Sequence, residues 1–518
     1  MWLARRCALA SGCLAMALAL SAAPAQARLS QIWQWCVNQN HVYTPDVQIK
    51  GCTSVIQSGK ESRQNLSIAY NNRGNGYRTK DDNDNAIANY NEAIRLDPNY
   101  AYPYNGRGNA YRAKGDNDRA MQDYSRSIQI DPKYASPYNG RGNLYRDMGD
   151  NDRAIADYDM AINLDPRYSP AYNGRGNAYN DKKDYDRAIA DYSLSIRLDP
   201  TYSSPHNGRG NAYRAKGDLD SALADYNEAI RLDPKSPFPY NGRGNVYFDR
   251  KDYDTAIAEY NQAIKADPKY ATGYNNRGLA YSRKGDYDRA IADYNLALKY
   301  DPKYAIAYDN LGDAYRAKKD YDTAITEYSQ AIRLDPKYAS AYTDRGDIYR
   351  LKGDNDTAIA NYNEAIEIDP SNTSAINNRS TAYENKGQYD KALEGYDRLV
   401  RMQPNNADWW NYRCWDRAII GQLQDALTDC NESLRLKPDV PNTLDSRGLV
   451  YLKLGELDKA LADYNAVLKL NPEFAGSLYG RGLVKRKKGD AAGADADIAA
   501  AKALRPDIEK EFAKYGVT

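Results

Sequence analysis

The sequence predicts an all-α protein, a solenoid of thirteen helix–turn–helix repeats that are each 34 residues long. The first observation behind this is a proline that recurs every 34 residues, from Pro98 to Pro506, without insertion or deletion. The second is the set of columns between these prolines, a column being the residues that share one place in successive repeats. The column of Ala86 is alanine in all thirteen copies, and the column of Gly74 is glycine in eleven. A fixed period of this length is typical of stacked repeats, each of which buries its apolar face against its neighbours.

Each repeat carries the periodicity of two helices. Tyr70, Arg73, Gly74 and Tyr77 stand at i, i+3, i+4 and i+7, which is one face of a first helix. The stripe of a second helix follows at residues 86, 87, 90, 93, 94 and 96. The polar residues 80–84 predict the turn, with Asp84 or a neighbour as the N-cap of the second helix. That helix should end before Asp97 and Pro98, because a residue that precedes proline is pushed out of helical geometry.

These columns resemble the tetratricopeptide repeat. The resemblance rests on Tyr70, Arg73, Gly74, Tyr77, Ala86, Tyr90 and Pro98 and on their copies through most of the chain. It implies a right-handed superhelix of thirteen repeats with caps at both ends, and the chain looks like exported bacterial proteins of the family, of the alphaproteobacterial type. One departure is systematic: twelve copies have arginine in the Arg73 column, where the family usually has leucine, and only Leu311 conforms.

The composition of the chain predicts four regions. Residues 1–27 have the layout of a secretory signal peptide: Arg5 and Arg6, an apolar segment, and small residues that end at Ala27. Residues 28–66 form an N-terminal cap, residues 67–508 hold the thirteen repeats, and residues 509–518 belong to a C-terminal capping helix. An uncleaved anchor is the alternative for the first region, although its apolar part is short for a membrane span. The mature chain is expected to be periplasmic or secreted, with no membrane span.

Export permits disulfides, and cleavage would leave Cys36, Cys52, Cys414 and Cys430. Four cysteines allow three pairings. We favour Cys36–Cys52 and Cys414–Cys430, because both pairs are sixteen residues apart and the latter two replace glycine and tyrosine in columns that face each other across a hairpin. Four free thiols are the alternative if the chain is not exported.

Both ends of the array should be covered by atypical units, since a solenoid otherwise exposes apolar surface there. In residues 28–66 the apolar residues suggest two short helices with Pro45 in their connection. After the last repeat, residues 507–515 can form a short amphipathic helix in which Ile508, Phe512 and Tyr515 would cover the final hairpin.

The sequence offers little material for an enzyme or a cofactor site. It contains 71 basic and 70 acidic residues, a balance that argues against a nucleic-acid-binding protein. Its only histidines, His41 and His206, lack partners at useful spacing, and His206 fits a packed position in the Tyr70 column. The recurring Gly-Arg-Gly segment, as in residues 106–108, falls within a helix and matches no phosphate-binding loop. We therefore expect no catalysis, no metal and no cofactor.

The Arg73 column places arginine in an otherwise apolar stripe, where a buried arginine needs a partner. The column of Asn89 is mostly acidic, and it lies across the hairpin or at the next interface. We predict a ladder of arginine–carboxylate pairs along the interior. The alternative is that these arginines point into the groove and hold acidic ligands.

The columns of Asn71, Asn75 and Arg78 share another stripe, which in tetratricopeptide arrays lines the concave surface. We call this surface the groove face. Asparagine carries a donor and an acceptor, so two rows of it can pair with an extended peptide backbone. The alternative is that these asparagines only link neighbouring first helices or descend from repeat duplication. The predicted ligand residues are Asn71, Asn75, Arg78, Asn105, Asn109, Arg112, Asn139, Asn143, Arg146, Asn173, Asn177, Asn207, Asn211 and Trp415.

The groove columns change along the chain. They turn acidic at Asp309, Asp313, Asp344 and Asp347, and later apolar at Trp415, Leu449 and Leu452. Trp415 is the strongest single anchor, because indole side chains commonly dominate interfaces. Its alternative role is to cover the Cys414–Cys430 hairpin.

These observations predict a non-catalytic scaffold that binds an extended peptide or partner segment in its groove. The alternative is a glycan-binding scaffold for envelope or exopolysaccharide assembly, since Tyr, Trp, Asn and Arg also suit sugars. The expected partner is thus a protein or peptide, or else a polysaccharide, and not a nucleic acid.

Overall fold

The structure is a computed structural model that describes residues 24–39 and 42–517. The described residues form 29 α-helices and no strand, as the all-α prediction requires. The signal-peptide prediction falls on residues 1–27, of which the first 23 lie outside the described residues, as does His41.

The chain divides after Asp267 into two compact units. The helices of the first unit are α1 Pro24–Val37, α2 Pro45–Gln57, α3 Arg63–Thr79, α4 Asn83–Leu96, α5 Ala101–Ala113, α6 Asn117–Ile130, α7 Ala135–Asp147, α8 Asn151–Leu164, α9 Ser169–Asp181, α10 Tyr185–Leu198, α11 Ser203–Ala215, α12 Leu219–Leu232, α13 Pro237–Asp249 and α14 Tyr253–Ala266. Here α1 and α2 precede six repeats.

The second unit holds seven repeats and a final short helix. Its helices are α15 Ala271–Arg283, α16 Tyr287–Tyr300, α17 Ala305–Ala317, α18 Tyr321–Leu334, α19 Ala339–Leu351, α20 Asn355–Ile368, α21 Thr373–Asn385, α22 Tyr389–Met402, α23 Ala407–Ile420, α24 Leu423–Leu436, α25 Pro441–Leu454, α26 Leu457–Leu470, α27 Ala475–Lys487, α28 Ala491–Leu504 and α29 Ile508–Lys514.

The turn chemistry of the sequence sets the ends of these helices. The second helix of repeat 1 begins after Asp82, whose side chain accepts a hydrogen bond from the backbone N–H of Asn85. The N-cap is therefore a neighbour of Asp84, two residues earlier in the turn. The helix ends at Leu96, directly before Asp97 and Pro98, as predicted.

Within each unit, first helices contact first helices. Examples are α3 with α5, α5 with α7, α23 with α25, and α25 with α27. Their exposed columns therefore form a surface of their own in each unit, and this surface is the groove face.

The N-terminal helices pack on repeat 1. Cys36, Cys52, Val55 and Ala69 form one buried cluster. Pro45 starts α2, so the connection predicted around it lies directly before that helix. The sulfur atoms of Cys36 and Cys52 are 2.07 Å apart, and those of Cys414 and Cys430 are 1.98 Å apart.

Candidate functional site

The glycines of the Gly-Arg-Gly segments make room for buried tyrosine rings. A Cβ atom added at Gly108 would lie 2.9 Å from Cε1 of Tyr124, and one added at Gly140 would lie 2.5 Å from the same atom. Tyr124 is fully buried, so its ring fits only between two residues that lack side chains. Close packing therefore accounts for both glycines of the motif.

The arginine between the two glycines pairs with a carboxylate of its own hairpin. Arg107 donates to Asp123 through Nε and Nη2, at 2.8 and 2.6 Å, and its guanidinium lies 5.6 Å from the ring centre of Tyr104. The same ion pair recurs as Arg141–Asp157, Arg175–Asp191, Arg209–Asp225, Arg243–Glu259, Arg277–Asp293, Arg413–Asp429, Arg447–Asp463 and Arg481–Asp497. The predicted ladder is confirmed, and its rungs lie within hairpins. His206, buried beside Asp225, is packed as expected.

Repeat 8 shows the ladder without its arginine. Leu311 is 2% exposed in the arginine position, and Glu327 occupies the carboxylate position across the hairpin. Burial raises the pKa of Glu327. In contrast, Glu259 of repeat 6 pairs with Arg243 at 2.7 Å.

The Asn75 column is tied to the buried tyrosines. The hydroxyl of Tyr90 donates to Oδ1 of Asn75 at 2.8 Å, and burial raises the pKa of Tyr90 to about 12. The same bond, at 2.7 to 2.8 Å, joins Tyr124 to Asn109, Tyr158 to Asn143, Tyr192 to Asn177, Tyr226 to Asn211 and Tyr260 to Asn245. One role of these amides is thus to link the two helices of their own repeat, whereas the alternative raised from the sequence was a link between neighbouring first helices.

Two aspartates show which way this hydrogen bond points. Asp313 and Asp347 replace asparagine in the same column, and each accepts from its tyrosine, Tyr328 at 2.8 Å and Tyr362 at 2.6 Å. An ionised carboxylate can only accept, so the tyrosine donates. The matching geometry in the asparagine repeats supports acceptance by Oδ1, which leaves the Nδ2 donors of the amide for other partners.

Those Nδ2 donors face the groove. Asn75, Asn109, Asn143 and Asn177 are half-buried and Asn211 is exposed. Among the described residues, none of these five Nδ2 atoms has a hydrogen-bond acceptor, since the side chains of these asparagines bond only through Oδ1, which accepts from tyrosine. The column thus presents one oriented amide donor group per repeat through the first five repeats.

The Asn71 column lies deeper. Asn71, Asn105 and Asn173 are buried, and Nδ2 of Asn105 donates at 3.2 Å each to the hydroxyl of Tyr134, the N-cap of α7, and to that of Ser136 in α7. The Oδ1 atoms without a hydrogen-bond partner in this column include those of Asn71, Asn105, Asn139, Asn173 and Asn207. These oxygens are buried, so they do not reach the surface of the groove face.

The groove arginines are held by aspartates that the sequence reading missed. Arg112 donates to Asp147 of the next first helix at 2.6 Å. Arg146 pairs in the same way with Asp181 at 3.0 Å, and Arg214 with Asp249 at 2.6 Å. The sequence does contain a signal for these pairs, because each arginine is followed by an aspartate 35 residues later. Arg78 is exposed. The pairs leave the Arg78 column less charged than its arginines suggest.

The acidic stretch of the second unit is only partly neutralised. Arg316 contacts Asp313 at 2.8 Å and Asp344 at 3.0 Å. Burial, reinforced by the neighbouring carboxylates, raises the pKa of Asp309 and of Asp344 to about 7. Within the described part of the chain, no three His, Cys, Asp or Glu side chains are arranged to hold a metal ion.

The C-terminal helix lies against the groove face of repeats 11 to 13. The ring of Phe512 is 4.8 Å from that of Tyr479 in α27, and the ring of Tyr515 meets that of Trp415 edge-on at 5.1 Å. The expectation that this segment covers the final hairpin was incomplete, because Tyr515 reaches α23, past α25 and α27. Trp415, expected as an anchor for a partner, is an anchor for the chain's own C-terminus.

The repeat columns agree with comparisons to known families. A model described as TPR repeat matches eight stretches, residues 74–115, 108–149, 142–182, 210–250, 244–285, 312–349, 346–387 and 448–489. Models described as tetratricopeptide repeat match residues 169–202 and 271–304, and another matches residues 377–441. The chain belongs to the tetratricopeptide repeat family.

One solved structure shares the fold of this chain at low identity, and two others resemble it more weakly. One is a chain of the APC/C hetero-tetramer Cut9–Hcn1, at TM-score 0.54 and 15% identity over 93% of this chain and 95% of that one. Others are a repeat protein of Parabacteroides merdae (TM-score 0.41, 20% identity, 48% of this chain and 98% of that one) and the human IFIT1 dimer with PPP-AAAA (TM-score 0.44, 18% identity, 72% and 91%). A comparison with curated proteins gave no match.

Residues 24–39 and 42–517 include no helix with the length and hydropathy of a membrane span.

Proposed function

We propose that the protein is a non-catalytic scaffold that binds an extended peptide segment along the groove face of its first unit. The observation that carries this proposal is the row of amides in the Asn75 column. Buried tyrosine hydroxyls fix Oδ1 of each amide, as Tyr124 does for Asn109 at 2.8 Å, while Nδ2 has no partner among the described residues. Donors held in one orientation at a regular interval suit the carbonyl groups of an extended backbone.

The charge of the groove face supports the same ligand. The unpaired Oδ1 atoms of the Asn71 column are buried and add no contact. The Asn75 amides can donate to main-chain carbonyls, which every residue carries, so they can bind a peptide without reading its sequence. The ion pairs of Arg112 and Arg146 with the following repeat reduce the positive charge of this face, which favours a peptide over a polyanion.

Selection of peptides from a random library against the full chain tests the proposal. Replacing Asn109, Asn143 and Asn177 together by Ala should weaken binding of the selected peptides by at least tenfold. Three lost hydrogen bonds correspond to about 2–4 kcal/mol. Binding that is unchanged by the triple replacement would contradict the peptide groove.

The matched control replaces Tyr124, Tyr158 and Tyr192 by Phe. It removes the same three internal hydrogen bonds but keeps all three amides. If both triple variants lose binding and stability to urea equally, the asparagines act through stability and not through the ligand. Capture of a protease-resistant polysaccharide in place of peptides would favour the glycan alternative.

The proposal includes action outside the cytoplasm, in the periplasm or after secretion. It is supported by the signal-like composition of residues 1–27 and by the two cysteine pairs with sulfur atoms 2.07 and 1.98 Å apart. Mass spectrometry of the unreduced mature protein should find an N-terminus near Arg28 and the pairs Cys36–Cys52 and Cys414–Cys430. A chain that retains residues 1–27 and four free thiols would refute export.

A further inference from the structure

The last residues of the chain behave as a ligand of its own groove face. Ile508, Phe512 and Tyr515 are spaced at i, i+4 and i+7 on one face of α29 and its end, and they are 0, 4 and 9% exposed. Val517, 6% exposed, extends the contact. The opposite face carries Glu509, Lys510, Ala513 and Lys514, all of which are exposed. The segment is therefore an amphipathic helix with one buried side.

The surface that receives this helix consists of groove positions. We call it the apolar section: Trp415, Leu449, Leu452, Tyr479 and Leu483, which form one cluster with the C-terminal residues. Trp415, Leu449 and Leu483 occupy the Asn75 column, which is asparagine from Asn75 through Asn245. In repeat 11, Cys430 replaces the tyrosine of the Tyr90 column. The residue at position 415 therefore has no tyrosine hydroxyl to accept from, and an apolar side chain fits there.

A lysine holds the far end of the helix. Nζ of Lys453 donates to the backbone oxygen of Tyr515 at 2.9 Å and to those of Ala418 and Ile419 at 2.6 and 3.2 Å. The contact to the C-terminal segment is one backbone hydrogen bond, which does not depend on the side chain that arrives there. Any helix that ends at this place can accept the same donor.

The C-terminal segment is not expected to form a stable helix when it is not docked. A helix of seven residues is too short to be stable in water, so α29 depends on its contact with the apolar section. It is joined to α28 by a connection of only three residues, Arg505 to Asp507. A short tether gives the segment a local concentration in the millimolar range, which lets modest contacts keep the surface covered.

We propose that the apolar section is a docking surface for an amphipathic helical segment of a partner, with aromatic or large aliphatic side chains at i, i+4 and i+7, and that the chain's own C-terminal segment covers it until that partner arrives. This inference rests on the proposed scaffold function and assigns a second surface to it. The occupant in the structure shows the required chemistry: an apolar face like that of Ile508, Phe512 and Tyr515 and a charged opposite face.

The probe for the test is a fluorescein-labelled peptide of residues 505–518 of this chain, titrated with the full protein. The chain with Phe512→Ala and Tyr515→Ala should leave its surface uncovered and bind the peptide at least ten times more tightly than the unaltered chain. The matched control carries Lys510→Ala and Lys514→Ala, which change only exposed residues of α29, and it should behave like the unaltered chain.

A further pair of substitutions locates the peptide. Adding Trp415→Asn and Leu449→Asn to the uncovered chain gives the apolar section the residue that the Asn75 column has in the first six repeats, and in the uncovered chain these amides can bond to water. Peptide binding should then be lost. If the uncovered chain gains no affinity for the peptide, the C-terminal segment is only a cap and the proposal fails.

Hydrogen exchange separates a ligand from a structural cap. In the uncovered chain the backbone amides of α25 to α28 should keep their protection from exchange. Faster exchange should appear only after residue 507. Loss of protection throughout α25 to α28 would overturn the proposal. Peptides selected on the Asn109 surface should bind these variants unchanged, so the two proposals fail or succeed separately.

Discussion

The ring of Tyr192 lies between two glycines, and it provides a sharp test of why Gly-Arg-Gly recurs. Tyr192 is 1% exposed in α10, and its hydroxyl donates to Asn177 at 2.8 Å. A Cβ atom at Gly176 would lie 2.9 Å from the ring, and one at Gly208 of the next repeat would lie 2.6 Å from both Cε1 and Cζ. The perturbation is Gly208→Ala, which adds one methyl group at the tighter of the two contacts.

The structure sets the size of the effect. Overpacking of this kind costs about 1–3 kcal/mol. A ring that shifts also weakens the hydroxyl bond to Asn177, which contributes about 1 kcal/mol. Alanine is the better helix former by about 1 kcal/mol, which offsets part of the loss. We expect Gly208→Ala to destabilise α9, α10 and α11 by a net amount of about 1–3 kcal/mol.

Native-state hydrogen exchange with mass spectrometry measures this locally, which matters because long repeat arrays need not unfold in one step. The control is a second chain that also carries Tyr192→Leu, in which the ring is gone. There Gly208→Ala should be neutral or stabilising, because only the gain in helix propensity remains. A stabilising effect of Gly208→Ala in the unaltered chain would refute the packing explanation of the motif.

Three further predictions concern charge. Arg175→Gln removes the partner of Asp191, which is 4% exposed, and should destabilise its hairpin by about 2–4 kcal/mol in urea unfolding, since breaking a largely buried pair leaves a charge behind. Because the pKa values of Asp309 and Asp344 are raised to about 7, the native state binds more protons than the unfolded state, so the stability of repeats 8 and 9 should fall as pH rises from about 4 to about 7. Flat protection of these repeats over that interval would contradict the burial of the two carboxyls. Leu311→Arg should supply Glu327 with an ion pair and lower its raised pKa. The loss of stability with rising pH should then be smaller, which urea midpoints measured against pH would show.

Much of the fold could be predicted because the same residue pattern recurs in every repeat. The prolines, the Ala86 column and the Tyr90 column predicted the helices, and the acidic Asn89 column predicted the partners of the arginines. These are contacts between residues at fixed spacings, so thirteen copies reinforce one reading. The turn at residues 80–84 was also predicted, with Asp84 or a neighbour as the N-cap, and the N-cap is its neighbour Asp82.

The groove was harder to read from the columns. Asn109 was predicted as a ligand residue with a structural role as the alternative, and Tyr124 already binds its Oδ1. Arg112 looked like a ligand arginine, but Asp147 of the next repeat holds it at 2.6 Å. A column shows which residues share a face, and it does not show how much hydrogen-bonding capacity is left after packing. That remainder depends on atomic distances across helices.

The sequence by itself determined the architecture of each repeat and the identity of the columns, because local periodicity and turn residues act over one 34-residue unit. Only the tertiary structure decided which amide atoms remain available and where the C-terminus lies. The contact of Tyr515 with Trp415 joins residues that are far apart in the chain, and no periodicity connects them. Such a contact follows from the free energy of burying an apolar helix on an apolar surface. The sequence shows that both segments contain apolar residues, but it does not show that they meet.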